Sequence, residues 1–427
     1  MTDREAFYPR YLVLDRFAWY NARRAGRVLG RVAHAGKLLL ATLAGIAISL
    51  VPRREAPDAG ACEVLVIHGW GGGERYVGAL SRALAARGVR VRHVLRAARL
   101  ERVRRWLFLP AAHRVPLRWR LDAWYAAYLV RAHRPSVVVT FDNESVFVAM
   151  LRMACAGRAR TVNISHGVTP LGDNASMFDV DYYLVLGGSS LDHCRRRRLR
   201  IGSTRVVEAG FMTIGEGHPL APSTDRRTLL FLSQLSAVML ASRVATSEMK
   251  DLLFRNTGIV MAFAREHPEY MVLVRRHPLE VPGLIEGMAA GLANVTVLPD
   301  SMGMREAVER ASGAIVMYSN AALEVAALGR PLVVVNDTEA PDAYLETERF
   351  FQPRARTAAE LFGRVRTLYE QYDAQLRGCE AFVGYHLARV RDAVPFQADL
   401  LAALVRGGPE PAGEDLPERL DGLTEVA

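Results

Sequence analysis

Short, near-continuous apolar runs alternate with amphipathic stretches through most of the chain. From Cys62, "CEVLVIHGWGGGERYVGALSRALAARGVRVRHV" gives an apolar strand over 64–67, a glycine-rich turn at 69–73, a helix, and a second strand near 91–94. That is a βαβ unit. More strand-like runs follow: "SVVVTFD" ending at Asp142, "ARTVNIS" at Ser165, "DYYLVLG" at Gly187 and "RVVEAG" at Gly210. Strands apolar on both faces, set between helices, belong to a parallel sheet covered on both sides.

The pattern breaks at "HPLAPSTDRRT", residues 218–228, whose prolines and polar residues read as an interdomain linker. Alternation then resumes. "TLLFLSQLS" is a strand ending at Ser233-Gln234, residues 247–266 form a helix, and "YMVLVRRHP" is a strand ending at Arg276-His277-Pro278. "VTVLPD", "GAIVMYSN", the helix "AALEVAALG" and the strand "PLVVVND" complete a second doubly wound set, and residues 357–405 read as helices. The expected organisation is an N-terminal segment (1–58), a Rossmann-like domain (59–217), the linker (218–228), a second Rossmann-like domain (229–405) and a disordered Pro/Gly/Glu-rich tail (406–427).

The first segment has its own character. "LLLATLAGIAISLVP", residues 38–52, is 15 residues without a charge, flanked by Lys37 and by Arg53-Arg54. A spanning helix needs about 20. Upstream, aromatic and aliphatic residues are mixed with arginine, a composition suited to a helix lying in the headgroup region. The expected location is cytoplasmic, peripheral on the inner face of the membrane. Residues 1–60 hold ten Arg/Lys against five Asp/Glu, and the net charge is +10. Basic patches attract nucleic acid, anionic lipid or phosphorylated substrates. No RNP, zinc-finger or KH signature is present, so nucleic acid is not an expected partner. The four cysteines are scattered without a CxxC pair, which excludes a disulfide framework and a cysteine zinc site.

In open α/β sheets ligands bind beyond the carboxyl ends of the strands. The residues there are the candidate chemistry. In the first domain these are the glycine loop Gly71, Gly72, Gly73 and Glu74, then Asp142 and Glu144, and His166 in "NISHGVTPLGD". "GWGGGERY" lacks the GxGxxG spacing of a dinucleotide site and the lysine of a P-loop, so NAD and ATP hydrolysis are not expected. In the second domain the candidates are Gln234 and Ser236, Arg276 and His277, Ser319 and Asn320 at a helix start, and Glu324 one turn into that helix. Arginine and histidine hold phosphate, and a helix start binds anions. Strand alternation puts Arg275 and Arg276 on opposite faces, so at most one of them reaches a site.

"SNAALEVAALGRPLVVV" resembles the donor-binding segment of GT-B glycosyltransferases. "RRHP" resembles the HP motif of GT-B enzymes that use CMP-activated sugars, the bacterial sialyltransferases and capsule Kdo transferases. "LLFLSQLS" resembles a strand of capsule polysaccharide synthesis proteins, and "ISHGVTPLGD" the "HGTP" segment of CDP-glycerol glycerophosphotransferases. The chain departs from the last group by carrying Tyr318-Ser319-Asn320 and Glu324 in place of Tyr-Ser-Ser and an aspartate.

The resemblance implies an α/β, GT-B-like fold: two Rossmann-like, doubly wound domains facing a cleft, preceded by a helical membrane-associating segment. It implies a transferase moving a sugar from a nucleotide-activated donor, a CMP-sugar foremost, to a polysaccharide or lipid-linked glycan, with no metal and no cofactor. His277, Arg276, Ser319, Asn320, Glu324, Gln234 and Ser236 would hold the donor. The base is one of His166, Asp142 and Glu144, and the glycine loop gives the acceptor close access to backbone. The alternatives on the same residues are a CDP-polyol phosphotransferase, a nonhydrolysing sugar epimerase, or a binding protein in polysaccharide assembly. Oligomeric state is left open.

Overall fold

The computed structural model describes residues 13–14, 36, 39–44, 46, 60–69, 73–96, 115–143, 145–168, 176–214, 219–235, 247–277, 280–317, 319–338 and 345–421. They fall into two compact units, Met1–Met212 together with Asp392–Ala427, and Thr213–Arg391.

The first unit runs β1 (Val64–His68), α1 (Gly73–Ala86), β2 (Val91–Leu95), α2 (Leu117–His133), β3 (Val137–Thr140), α3 (Val146–Cys155), β4 (Arg160–Ile164), β5 (Tyr182–Val185), α4 (Gly188–Arg196), β6 (Leu199–Arg200) and β7 (Thr204–Glu208). The second runs β8 (Thr228–Leu232), α5 (Ser247–Glu266), β9 (Met271–Arg275), α6 (Leu284–Ala289), β10 (Val295–Val297), α7 (Met304–Glu309), β11 (Gly313–Val316), α8 (Ala321–Ala327), β12 (Leu332–Val334), α9 (Ala358–Glu370) and α10 (Tyr372–His386). The chain then returns to the first unit with α11 (Ala393–Val405), β13 (Glu414–Leu416) and β14 (Arg419–Leu420).

The first sheet has the order β13-β7-β5-β4-β3-β1-β2, parallel except for β13 on β7. Alternation along its strands builds two cores. Leu65, Ile67 and Val138 pack under Tyr125, Leu129 and Phe147 of α2 and α3. Val64, Val66 and Val139 pack under Leu80 and Leu84 of α1 and Leu401 of α11. The second sheet is parallel in the order β10-β9-β8-β11-β12, with Phe231, Val274 and Ile315 buried against Phe263 of α5 and Val365 of α9. Strand order reverses between β1 and β3 in the first sheet and between β8 and β11 in the second. Ligands of doubly wound sheets bind at such switch points.

Three expectations are corrected. Helix α11 does not belong to the second domain, because its apolar residues close one face of the first sheet. The tail is not disordered up to residue 421: β13 pairs antiparallel with β7 and β14 with β6. Its acidic residues meet arginines of the first unit, Glu414 with Arg195 and Asp415 with Arg205. The N-terminal segment is not wholly separate, since Leu14 is buried in the first unit's core and Ala44 packs on it. Most of residues 1–58 lie outside the described residues. Among those described, no helix is long and apolar enough to cross a membrane.

Candidate functional site

The first unit's candidate residues gather at the β1/β3 switch point. Strand β3 ends at Thr140, and Phe141 and Asp142 follow it. Both oxygens of Asp142 are engaged. Oδ1 accepts the Ser145 backbone N–H at 3.0 Å, and Oδ2 meets Arg96 Nη1 at 3.0 Å. Ser145 in turn caps α3, its hydroxyl oxygen accepting the Phe147 N–H. Arg96 is held from two further sides: its backbone N–H donates to the His68 carbonyl, and its guanidinium lies 4.6 Å from the Phe147 ring centroid.

His166 stands two residues beyond β4. Asn163 on that strand donates to the Asp142 carbonyl at 3.2 Å, tying the two strand ends together. The Ser165 hydroxyl donates to the Gly167 carbonyl at 2.5 Å and tightens the loop. The His166 side chain keeps contact with solvent. The protein crowded around the ring still lowers its pKa below the ordinary 6.5, while a bond to the Phe141 carbonyl and the charge of Asp142 act the other way. The ring is therefore neutral at pH 7. Donation of one N–H to Phe141 fixes the tautomer that presents the other nitrogen as an acceptor.

Behind Phe141 lies a chain that the sequence reading missed. His68, the last residue of β1, is buried, and its Nε2 is 2.8 Å from His93 Nδ1. His93 Nε2 is 2.9 Å from the Ser81 hydroxyl of α1. The His68 ring stacks on His93 and on Phe141, with centroids 5.1 Å and 5.9 Å apart. Residues 68, 81 and 93 share no motif spacing; the one available signal is a histidine ending the strand at the switch point.

In the second unit the ends of β8, β9 and β11 carry the candidates. Gln234 follows β8 and is half-buried. His277, two residues past β9, donates its backbone N–H to Glu280 Oε2 at 3.1 Å and accepts the Glu280 N–H at its carbonyl, 2.8 Å away. Burial lowers the pKa of the His277 ring and raises that of the Glu280 carboxyl. Glu280 was not among the sequence candidates.

The pleat decides between the two arginines against expectation. Arg276 is taken up by Glu286 at 2.6 Å and Asp300 at 2.9 Å, so its charge is neutralised and it is withdrawn from the phosphate-binding set. Arg275 lies within electrostatic reach of Glu324, whose charged form it favours. It also donates to the Met302 carbonyl at 2.5 Å. Burial nevertheless raises the Glu324 carboxyl to about 7, against the Thr213 hydroxyl and Arg275. At the start of α8, the Ser319 hydroxyl oxygen accepts the Ala321 N–H at 3.2 Å, whereas the Asn320 side chain makes no capping bond. Capping thus falls to Ser319.

Thus Asp142 and His166 come together in the first unit, and Arg275 and Glu324 in the second. Glu144, Gly71, Gly72 and Ser236 lie outside the described residues. Gly73 opens α1, and the side chain of Glu74 is likewise outside them.

Residues 70–207 match the family described as Glycosyltransferase Family 4. No curated protein matches the chain. Among solved structures, the S. aureus MnaA–UDP complex is 11% identical with a TM-score of 0.53, covering 82% of this chain and 100% of that one. A UDP-N-acetylglucosamine 2-epimerase is 10% identical with a TM-score of 0.52, covering 83% and 99%. A variant of the wall teichoic acid polymerase TagF is 12% identical with a TM-score of 0.50, covering 88% and 97%. At such identities the likeness is one of fold alone, and that fold is GT-B-like.

Proposed function

We propose that this chain of GT-B fold is a glycosyltransferase that moves a sugar from a nucleotide-activated donor to a glycan or lipid-linked acceptor. The observation that carries the reading is His166. It is a neutral, solvent-facing imidazole of fixed tautomer, one strand from the sheet switch point, within the segment that matches a glycosyltransferase family. Such a group accepts the proton of an acceptor hydroxyl as that oxygen attacks the sugar. Asp142 is less suited, since a capping bond and Arg96 occupy its carboxylate. Its charge instead supports the imidazolium that forms.

The second unit supplies the donor half. His277 donates a hydrogen bond to the departing phosphate, and Ser319, Asn320 and Gln234 add polar contacts at the neighbouring strand ends. Glu324 receives a hydroxyl of the ribose or sugar. The HP motif makes a CMP-sugar the first donor to test, and a UDP-sugar the second. We further place the protein on the inner face of the membrane. Leu39, Leu40 and Leu43 support this reading: they lie on a helical stretch and are 61%, 63% and 52% exposed.

The test is a thermal-shift titration with CMP, CDP, UDP and GDP, followed by donor assays with acceptor present and absent. One nucleotide is expected to raise Tm, because a ligand that binds only the native state stabilises it by mass action. His277→Ala is expected to abolish that shift. No shift with any of the four would overturn the reading in favour of a non-catalytic binding protein. Conversion of the donor without acceptor would replace it with an epimerase, and release of CMP from a CDP-polyol with a polyol-phosphate transferase.

A further inference from the structure

A glutamate closes the loop that carries His277. Strand β9 ends at Arg275, and three residues beyond His277 stands Glu280, which is 9% exposed. Its backbone N–H donates to the His277 carbonyl at 2.8 Å, and its Oε2 accepts the His277 N–H at 3.1 Å. Both main-chain polar groups of His277 are thus bound to the same residue. Pro278 comes between them; it has no N–H to compete for the carboxylate, and its ring restricts φ. A second donor reaches the carboxyl from the neighbouring strand, the hydroxyl of the buried Ser233. Ser233 is itself fixed, its N–H donating to the Arg275 carbonyl at 3.0 Å. Glu280 therefore ties the end of β8 to the loop beyond β9.

A buried carboxylate is costly unless it is paired and hydrogen-bonded. Burial raises the Glu280 carboxyl above its ordinary 4.5, and the charge of Glu286 acts the same way. The Ser233 hydroxyl, the His277 N–H and Arg276 act against them. Arg276 is no dedicated partner, since it is committed to Glu286 at 2.6 Å and Asp300 at 2.9 Å. For filling space, an apolar residue of similar volume does as well as a buried charge or better. What a carboxylate does and a leucine cannot is accept an N–H and an O–H at once, through charge-assisted bonds about twice as strong as neutral ones. One of those two donors is the backbone of the residue whose ring is assigned to the donor phosphate.

We propose that Glu280 is a positioning residue of the donor half-site: it fixes the main chain of His277, and so the place from which that imidazole meets the donor phosphate. The donor role rests on the transferase reading; the clip between Glu280 and His277 does not. Glu280 acts through His277. With the clip open the loop samples more conformations, and binding a nucleotide must order it first.

Two measurements on the full chain test this. The first is a pH titration of the His277 amide proton by TROSY NMR. An N–H bonded to a carboxylate shifts when that carboxylate takes up a proton. The signal is expected to carry a component with a midpoint above 4.5 that disappears in Glu280→Gln; any component from the His277 ring itself remains. The second is the affinity, by calorimetry, for whichever of CMP, CDP, UDP and GDP raises Tm. Glu280→Ala should weaken it about tenfold to a hundredfold. Glu280→Gln keeps one acceptor oxygen without the charge, and its affinity should lie between those of Glu280→Ala and the unmodified chain. Absence of the carboxyl component overturns the proposal. So does a nucleotide response that His277→Ala abolishes and Glu280→Ala leaves untouched, a result that keeps the transferase reading. If Glu280→Ala does not fold, the amide titration and Glu280→Gln decide, and unchanged affinity in Glu280→Gln then overturns the positioning role. No nucleotide response in the unmodified chain overturns the transferase reading and the donor role with it, and the amide titration alone then decides whether the clip exists.

Discussion

Two residues carry opposite pH signatures, and each can be tested alone. The His166 pKa is lowered, so the ring is a competent base from high pH down through 6.5, and the acid limb of kcat/KM lies below pH 6.5. Asp142 acts to raise that pKa. Asp142→Asn should therefore move the limb to lower pH while leaving most of the rate, whereas His166→Ala should cost about 10²- to 10⁴-fold. A limb that stays put in Asp142→Asn would remove the electrostatic link between them. Glu324 behaves conversely. Its folded pKa of about 7 lies above the ordinary 4.5, so folding is opposed once the unfolded carboxyl ionises. Stability falls as pH climbs from 4.5 to 7 and is flat above. The shift corresponds to about 3 kcal/mol at 1.36 per unit, and partial exposure reduces this to about 1–2. Glu324→Gln should raise Tm at pH 8 and leave it unchanged at pH 4; an equal rise at both would rule out ionisation as the cause. Glu324 and His166 were legible in the sequence because they end or follow apolar runs. Arg275 was not, since choosing it over Arg276 depends on the carboxylates of Glu286 and Asp300 that occupy Arg276. The His68–His93–Ser81 chain was not, since only strand pairing brings β1 beside β2.

At the level of elements, strands were easiest to read. β1, β3, β5, β8, β11 and β12 are buried on both faces and stand out as apolar runs between polar turns, while β9 is buried on one face only. Helix α2 escaped notice because ten of its 17 residues are buried on several sides, among arginines, with no single apolar stripe. The tail escaped because its acidic composition, which reads as solvated, is matched by arginines far upstream. The N-terminal helical stretch carries a cluster of exposed apolar side chains, Leu39, Leu40 and Leu43. If these enter a bilayer surface, flotation with vesicles containing phosphatidylglycerol should carry the protein upward, aided by the nearby cationic residues. Leu39→Glu with Leu43→Glu should leave it at the bottom without changing Tm. Equal flotation of the double variant would assign membrane binding, if any, to other residues.

For the whole molecule, the consequential feature is that the chain is not two domains in sequence. It leaves the first unit at Met212, completes the second by Arg391, and returns. The second unit is continuous and holds its own sheet and core. The first is not: α11 supplies Ala398, Leu400, Leu401, Ala402 and Leu404 to one of its two cores. Burial of side chains of this size is worth about 1.5–3 kcal/mol each for the leucines, an amount comparable with the net stability of a domain, about 5–15 kcal/mol. A fragment of residues 213–391 should therefore unfold cooperatively by itself. A fragment of residues 1–212 should not, because one face of its sheet is stripped and β7 loses β13 and becomes an edge. Co-expression with residues 392–427 should restore it, through the α11 face more than through the surface ion pairs, which contribute about 0–1 kcal/mol each. Circular dichroism melts and dispersed amide spectra of the two fragments decide the matter. A 1–212 fragment that folds as well as the full chain would show that the return is an attachment, not part of the first unit's core.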